Sequence, residues 1–334
     1  MTAELSSAVI DPPPVVGEPF AAEFEPGATA AAVRETARRD PAAALTLLNR
    51  TTLRYALKLL DATPPEGSLA GWSRPNPSGD PAQDERPLAV EPPGKKLSGR
   101  QPVAAIGSAE GAILLIAPDK GGDGYLLRLD AGPHLRVDEA IFDRPGFRQR
   151  WIELAEPQFF APISIFPAAT LQPALRRIVL AEELLHAALD LGILEGFWDA
   201  ARAHITTRTR PWQGQSLAKA TDDPHLLRRY GEYTATVHAA QGLFKEAVDA
   251  VTSIPALPGT IDAVSAARAY LLLAGRTLIG GTIELLGAGA TSSRYGFDLY
   301  WRDFTAHAVA HPPHWPLESI GRRLAHPSLE EPFA

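Results

Sequence analysis

Three histidines near the end of the chain have the spacing of metal ligands. His307, His311 and His314 are four and three residues apart, so a continuous helix would place them on one face. Pro312 and Pro313 interrupt any such helix between the last two histidines. A zinc site of the hydrolase type is therefore not supported, and the sequence predicts no metal.

A Glu-x-x-His pair, Glu183 and His186, lies in a segment with helical periodicity. In di-iron helix bundles such a pair supplies two ligands, and those sites need a second Glu-x-x-His on another helix. The chain contains no second pair. The sequence therefore does not predict a di-iron site.

Composition excludes several other kinds of chemistry and partner. The 334 residues include no cysteine, which excludes a disulfide framework, a Cys-ligated metal site and a thiolate nucleophile. The formal net charge of −7 is not that of a nucleic-acid-binding protein. The most apolar window, residues 266–286, contains charged residues, and residues 1–14 lack the features of a secretory signal. We therefore expect a cytoplasmic protein without a membrane partner.

Apolar residues at helical spacing predict a helix-rich chain. Two short helices are expected in residues 30–61, the second starting at Pro41 with Asp40 as its N-cap. Beyond residue 168 longer helices are expected, which would form a four-helix bundle with their apolar stripes inward. Their predicted ranges are residues 171–209, 224–254, 260–286 and 299–309.

Between these helical parts the sequence has the pattern of short strands separated by Gly, Asp and Pro clusters. The segment 112–117 is apolar throughout, which indicates a strand covered on both faces. We expect a small antiparallel barrel or sandwich. Its predicted strands are residues 103–106, 112–117, 125–129, 151–154 and 163–166.

Prolines crowd residues 63–93, which we interpret as a linker or covering loop because they suit neither a helix nor a central strand. Residues 1–27 have no sustained periodicity and are interpreted as an extended arm. The predicted domains are 1–92 (arm, short helical region and linker), 93–167 (β-barrel-like domain) and 168–334 (helix bundle).

Three short motifs occur in order along the chain. They are Gly-Lys-Lys-Leu-Ser-Gly at 94–99 with the apolar segment 112–117, Thr-Arg-Thr-Arg-Pro-Trp at 207–212 with 223–224 and 231–232, and Leu-Gly-Ala-Gly-Ala-Thr-Ser at 286–292 with Leu-Tyr-Trp-Arg-Asp at 299–303. Together they resemble the acyl-CoA dehydrogenase superfamily of flavoproteins, and most closely its flavin-dependent monooxygenase branch typified by dibenzothiophene monooxygenases. The resemblance covers roughly residues 95–327 and more loosely 34–61.

The resemblance implies a fold that is mainly α with a central β module: short N-terminal helices, a small antiparallel β-barrel and a C-terminal four-helix bundle. The N-terminal domain is shorter than the family's by several helices. The resemblance also implies FAD or FMN as cofactor, a small organic substrate, and a homodimer or homotetramer in which subunits share the cofactor. A flavin reductase or a homologous subunit is the implied protein partner.

Five residues match the family's cofactor contacts. Arg210 resembles the bundle arginine that reaches the cofactor phosphate, often in a neighbouring subunit, and Trp212 follows it. Gly287, Gly289 and Thr291 resemble the turn that lies against the flavin of the partner subunit. The alternatives are a solvated or ion-paired helix-end arginine and a glycine-rich helix C-cap.

Two of the histidines match the family's reactive site. In the monooxygenase branch, histidines near the reactive face of the flavin donate a proton or a hydrogen bond. The resemblance therefore gives His307 and His311 as catalytic candidates, the alternative being ordinary surface or core histidines.

The sequence does not exclude other functions. Between Asp303 and Glu318 there is no carboxylate, so the late catalytic base of many acyl-CoA dehydrogenases is absent, although Glu284 leaves a dehydrogenase open. The chain could also be a flavin-poor structural or regulatory paralogue that oligomerises with an active homologue. A helical ligand-binding protein of unrelated chemistry is the third alternative.

Overall fold

A computed structural model describes residues 25–326 with gaps. Of residues 135–139, 150, 151 and 155–159, only the backbone is described. The predicted arm therefore lies almost entirely outside the described residues. The gaps are residues 64, 76–88, 92–95, 107–110, 131–134, 140–149, 160, 213 and 254–258.

Two helices precede the sheet, α1 (Pro26–Ala37) and α2 (Pro41–Leu59). The Asp40 carboxylate accepts hydrogen bonds from the backbone N–H groups of Ala42 and Ala43, both at 3.0 Å. Pro41 occupies the first turn, where a missing N–H costs nothing. Both predicted helices and the predicted N-cap are confirmed.

The described strands form a small mixed sheet in the order β6-β7-β3-β1-β4-β5-β8, with β2 beside β3. Every pairing between these strands is antiparallel except that of β1 with β4. The prediction of an antiparallel module is therefore corrected at that one pair. The strands are β1 (Leu69–Ser73), β2 (Ala89–Glu91), β3 (Lys96–Ala105), β4 (Ala112–Pro118), β5 (Gly124–Leu129), β6 (Leu135–Glu139), β7 (Arg150–Phe159) and β8 (Ser164–Phe166).

The interpretation of residues 63–93 as a linker is wrong in part. The segment contains β2 and also β1, which lies inside the sheet between β3 and β4. The prolines flank β1 at positions 65 and 75 and do not interrupt it. A short proline-free window is enough for a five-residue strand. The predicted domain boundaries themselves stay predictions.

The bundle consists of α3 (Ala168–Thr207), α4 (Pro224–Thr252), α5 (Thr260–Leu286) and α6 (Phe297–Ala310), followed by α7 (His314–Ala325). All four predicted long helices are confirmed, and α7 was not predicted. The end of α3 meets the residues that follow α5, since the rings of His204 and Phe297 lie 5.5 Å apart. Near the start of α5, Arg268 contacts Asp190 in the middle of α3. These contacts mean that α3 and α5 run in the same direction.

Of the described helices, α5 alone has the length and apolarity of a membrane span. Here it packs against α3 and α4, with Leu271, Leu272 and Leu278 fully buried in the bundle core. This is the position of a core helix.

Two glycines bring α1 close to α3. A Cβ on Gly192 would overlap the carbonyl oxygen of Arg34, and a Cβ on Gly196 would overlap that of Arg38. The spacing of four residues places both glycines on one face of α3. The missing side chains therefore allow α1 to lie directly on the helix that carries much of the candidate site.

Candidate functional site

Three histidines from two distant segments of the chain meet inside the bundle. His186 comes from the middle of α3, His307 from the last turn of α6, and His311 follows α6 directly. One ring nitrogen from each lies within 4.8 Å of the others. His186 and His307 are 3% and 2% exposed, and His311 is half-buried. We call these three residues the histidine cluster.

His307 is held between two hydrogen-bonding partners. Its Nδ1 lies 2.6 Å from Oδ1 of Asp190, and its Nε2 lies 2.9 Å from Nδ1 of His186. A carboxylate can only accept, so Nδ1 of His307 carries the proton and donates it to Asp190. In the neutral ring Nε2 is then an acceptor, which assigns the proton of the second contact to His186 Nδ1. Asp190 thereby sets the tautomers of both rings.

Arg268 compensates the buried carboxylate. Its guanidinium is 2% exposed and donates from Nη1 to Asp190, which is 0% exposed, while its Nε donates to Glu183 at 3.1 Å. Removing two charges from water is costly unless each is paired and hydrogen-bonded. The pair therefore forms a fixed support behind His307.

A second carboxylate faces His186 from the other side. Oε1 of Glu182 lies 4.0 Å from Nε2 of His186, and Glu182 accepts a 2.9 Å hydrogen bond from Nε of Arg74. Arg74 follows β1 directly, so this ion pair ties the sheet to the bundle beside the histidine cluster. Arg74, in the segment that was interpreted as a linker, therefore lies beside the histidine cluster.

Burial favours the neutral form of His186 and His311. Loss of solvation lowers the pKa of both His186 and His311 well below the ordinary histidine value. The neighbouring histidines and the positive charges of Arg268 and Arg74 lower it further. A neutral imidazole has one nitrogen lone pair, which can accept a proton or bind a metal ion once it is released from a hydrogen bond such as that of His307 Nε2 with His186.

The structure brings together the two predicted catalytic histidines, His307 and His311, and separates His314, which starts α7 as an exposed residue. Their catalytic role stays a prediction. Sequence reasoning considered His186 only as a di-iron ligand and missed Asp190 and Arg268. The spacing of His186 and Asp190, four residues apart in a long apolar segment, was the available signal for a buried polar face.

The predicted cofactor residues lie beyond the ends of α3 and α5, away from the histidine cluster. At a rise of 1.5 Å per residue, the end of α3 is about 31 Å from His186, and the end of α5 is about 27 Å from Arg268. Arg210 and Trp212 follow the end of α3, and the Gly287–Thr291 turn follows the end of α5. One protomer therefore does not bring these residues to its own histidine cluster.

The same residues are open to solvent. Arg210 makes no hydrogen bond or ion pair with any residue in the described part of the chain, and Trp212 is 69% exposed. A Cβ added at Gly287 or Gly289 would meet no atom within 4 Å. Thr291 is exposed and donates a 2.7 Å hydrogen bond to the carbonyl of Ala288. A free guanidinium and an open glycine turn suit a phosphate group and a planar ring, so these residues fit a flavin nucleotide.

A second polar feature lies between α1, α3 and α4. A cleft of about 150 Å³ is lined by Arg34, Arg38 and Arg202 among others. Arg34 is bound to Glu195 at 2.5 Å, and Arg38 to Asp199 at 2.5 Å. Because Arg34 and Arg38 are already paired, the cleft is a weaker candidate than the histidine cluster.

Comparison of sequences supports the resemblance read from the motifs. Residues 184–312 match the family model for the acyl-CoA dehydrogenase C-terminal domain. Over 194 residues the chain is 32% identical to dibenzothiophene monooxygenase from Rhodococcus erythropolis, covering 55% of this chain and 42% of the relative. Over 226 residues it is 27% identical to the probable FMNH2-dependent monooxygenase SfnC of Pseudomonas putida, covering 64% and 54%. The chain spans less than half the length of the dibenzothiophene monooxygenases that it matches.

Solved structures confirm the predicted fold. FMN-bound TdsC from Paenibacillus sp. A11-2 superposes with a TM-score of 0.73 at 18% identity, over 92% of this chain and 85% of that one. The methanesulfinate monooxygenase MsuC from Pseudomonas fluorescens gives 0.72 at 18% identity over the same shares. Butyryl-CoA dehydrogenase from Megasphaera elsdenii gives 0.68 at 16% identity, over 88% and 80%. The fold is acyl-CoA dehydrogenase-like, and the predicted resemblance to the superfamily and its monooxygenase branch is confirmed.

Proposed function

We propose that the chain is a flavin-dependent monooxygenase that acts on a small organic substrate. The observation that carries the proposal is the place of the histidine cluster: His186, His307 and His311 all lie within residues 184–312, the range that matches the acyl-CoA dehydrogenase C-terminal domain. Relatives that the chain matches in sequence are named as monooxygenases. Either FMN or FAD is compatible, since the structural neighbours include an FMN-bound and an FADH2-bound protein.

When bound, a reduced flavin would supply the two electrons needed to reduce O2, one oxygen atom going to the substrate and the other to water. The chain itself contributes proton handling and binding. His311 is half-buried beside the two inner histidines and would exchange protons between the cluster and its surroundings. Asp190 fixes the tautomer of His307, so the cluster presents one defined arrangement of donors and acceptors.

Binding of the flavin then depends on more than one subunit. Arg210 and the Gly287–Thr291 turn fit a flavin nucleotide. They follow the ends of α3 and α5, about 31 Å along α3 from His186 and about 27 Å along α5 from Arg268. In a closed oligomer, the bundle end of one subunit can complete the site of another. We therefore propose that the protein is a homo-oligomer. The same proposal includes a flavin reductase as the electron source and the cytoplasm as the location.

Exposed apolar side chains support an assembled state. Leu273 on α5 and Val309 on α6 are 47% and 60% exposed, and Arg276 joins their helices through a 3.1 Å hydrogen bond to the carbonyl of Ala308. Two large apolar residues held on adjacent helices suit the buried centre of a subunit interface.

The proposal is tested with a flavin reductase, NADH, FMN or FAD, isotopically labelled O2 and a panel of sulfur-containing aromatics and sulfinates. We expect labelled oxygen in a product, loss of that product in Arg210→Ala, and its retention in Arg228→Ala, an exposed arginine with only a helix-surface partner, Glu232. A protein that transfers no oxygen to any of these compounds and also binds no reduced flavin would overturn the proposal.

A further inference from the structure

We propose that His186, His307 and His311 form a binding site for a divalent transition-metal ion such as Zn²⁺. This site goes beyond the flavin-dependent function and does not rest on it. Zinc in proteins is commonly held by three or four nitrogen or sulfur ligands. The sequence excluded a metal because it offered only His314 as the third ligand, whereas the fold supplies His186 from α3.

The nitrogen atoms are close to the positions that zinc requires. Zinc–nitrogen bonds are about 2.0–2.1 Å long, so two ligands of a tetrahedral ion lie roughly 3.3 Å apart. The cluster already holds one nitrogen from each ring within 4.8 Å of the others, and His186 Nδ1 and His307 Nε2 are 2.9 Å apart. A zinc ion would need that contact to open by about 0.4 Å, and the His311 nitrogen to close from up to 4.8 Å to roughly 3.3 Å.

The second nitrogen of each inner histidine faces a carboxylate. His307 Nδ1 contacts Asp190 at 2.6 Å, and His186 Nε2 faces Glu182 at 4.0 Å. Metal-binding histidines almost always use their other ring nitrogen in this way, which fixes the ring and makes it a stronger ligand. When the metal binds, the proton on His186 Nδ1 moves to Nε2, where Glu182 can accept it. A side-chain shift of about 1 Å would bring Glu182 from 4.0 Å into hydrogen-bond range of His186 Nε2.

The surrounding charges can accommodate a cation. Three carboxylates, Asp190, Glu182 and Glu183, are paired with two guanidiniums, Arg268 and Arg74. With neutral histidines, the formal charge of this group is −1, which a divalent ion changes to +1. The two arginines alone would repel a cation. The three carboxylates outnumber them, so the net charge of the group favours binding of a cation.

Three protein ligands leave one coordination position open. In zinc proteins a three-ligand site takes a water molecule there, and the ion lowers the pKa of that water to about 7. His186 and His307 are buried, whereas His311 is half-buried, so access from solvent is on the side of His311. The site thus has the form of a reactive metal centre and not of a closed structural one.

The test uses tag-free protein stripped of metal with a chelator, reloaded with Zn²⁺ or Co²⁺ and dialysed. We expect equimolar zinc by mass spectrometry and the intense visible bands of tetrahedral Co²⁺. His311→Ala removes a half-buried ring for which no hydrogen bond is described and should keep the fold; His186→Asn removes an inner ligand. Both variants should lose the metal, and Glu182→Gln should bind it about 10–100-fold more weakly.

His314→Ala is the matched control, since this exposed histidine lies three residues beyond His311 and outside the cluster. It should retain zinc as the wild type does. Circular dichroism and gel filtration identify any variant that fails to fold. The proposal is overturned if the wild type retains no zinc, or if folded His311→Ala and His186→Asn retain as much as His314→Ala. Neither result depends on whether the protein binds a flavin.

Discussion

Nδ1 of His307 lies 2.6 Å from Oδ1 of Asp190, and this contact joins α6 to α3 inside the bundle core. The other carboxylate oxygen of Asp190 accepts from Arg268 on α5. One fully buried carboxylate therefore links three helices and sets the tautomer of the central histidine. Asp190 therefore contributes both to the stability of the bundle and to the arrangement of the candidate site.

Replacing Asp190 by alanine should destabilise the protein by about 3–5 kcal/mol, because it leaves the buried guanidinium of Arg268 without its inner partner. Urea unfolding followed by circular dichroism measures the change. Asp249→Ala is the control: its pair with Lys245 is exposed and should contribute less than about 1 kcal/mol. Equal losses in the two variants would show that the Asp190 network adds no more than a surface pair.

Gly196→Ala should destabilise the protein by about 1–3 kcal/mol, since the added methyl group overlaps the backbone of α1 at Arg38. Gly242→Ala is the matched control, because Gly242 lies in α4 with nothing within 4 Å of an added Cβ. There the better helix propensity of alanine should stabilise by up to about 1 kcal/mol. Thermal unfolding of both variants checks the opposite signs, and a stabilised Gly196→Ala would disprove the close packing of α1 on α3.

The double substitution Leu273→Glu and Val309→Glu should weaken self-association. Burying an aliphatic side chain contributes about 1.5–3 kcal/mol, so losing two should raise the dissociation constant by at least about a hundredfold. Sedimentation velocity over a range of concentrations measures it. Leu227→Glu, a comparably exposed leucine at the start of α4, serves as the control. An unchanged oligomer in the double variant would place the interface elsewhere.

Added Zn²⁺ should inhibit oxygen transfer, and a chelator should restore it. A metal on His186 and His307 occupies the lone pairs that proton exchange needs, so the two uses of the cluster exclude each other. The rate of product formation against zinc concentration checks this, with Mg²⁺ as the control because it prefers oxygen ligands. Activity unaffected by zinc in protein shown to hold the ion in the cluster would separate the histidines from the oxygen chemistry.

The helices could be predicted because each has a long apolar stripe and a clear start or stop, such as Asp40 before α2 and Gly287 after α5. Strand β1 was missed because the surrounding prolines dominate the composition of its segment. Its central place depends on pairing with β4, which a local pattern does not contain.

The candidate site was predictable only in part. His307 and His311 follow from the family motif, being close together in sequence. His186 and Arg268 join them through the packing of α3 and α5 against α6, across 121 residues in the case of His186 and His307. Contacts between distant segments leave no local signal, so the third histidine and its charged support appear only in the fold.

Flavin binding is the most direct test of the proposal that the protein is a flavin-dependent enzyme. Tag-free protein is titrated with FMN and with FAD, oxidised and reduced, and binding is followed by visible absorbance and equilibrium dialysis for the wild type, Arg210→Ala and Arg228→Ala. We expect saturable binding of at least one flavin. Arg210→Ala should weaken this binding about 10–100-fold, because a charge-assisted hydrogen bond is lost, and Arg228→Ala should leave it unchanged. Folded wild-type protein that binds neither flavin in either redox state would contradict it.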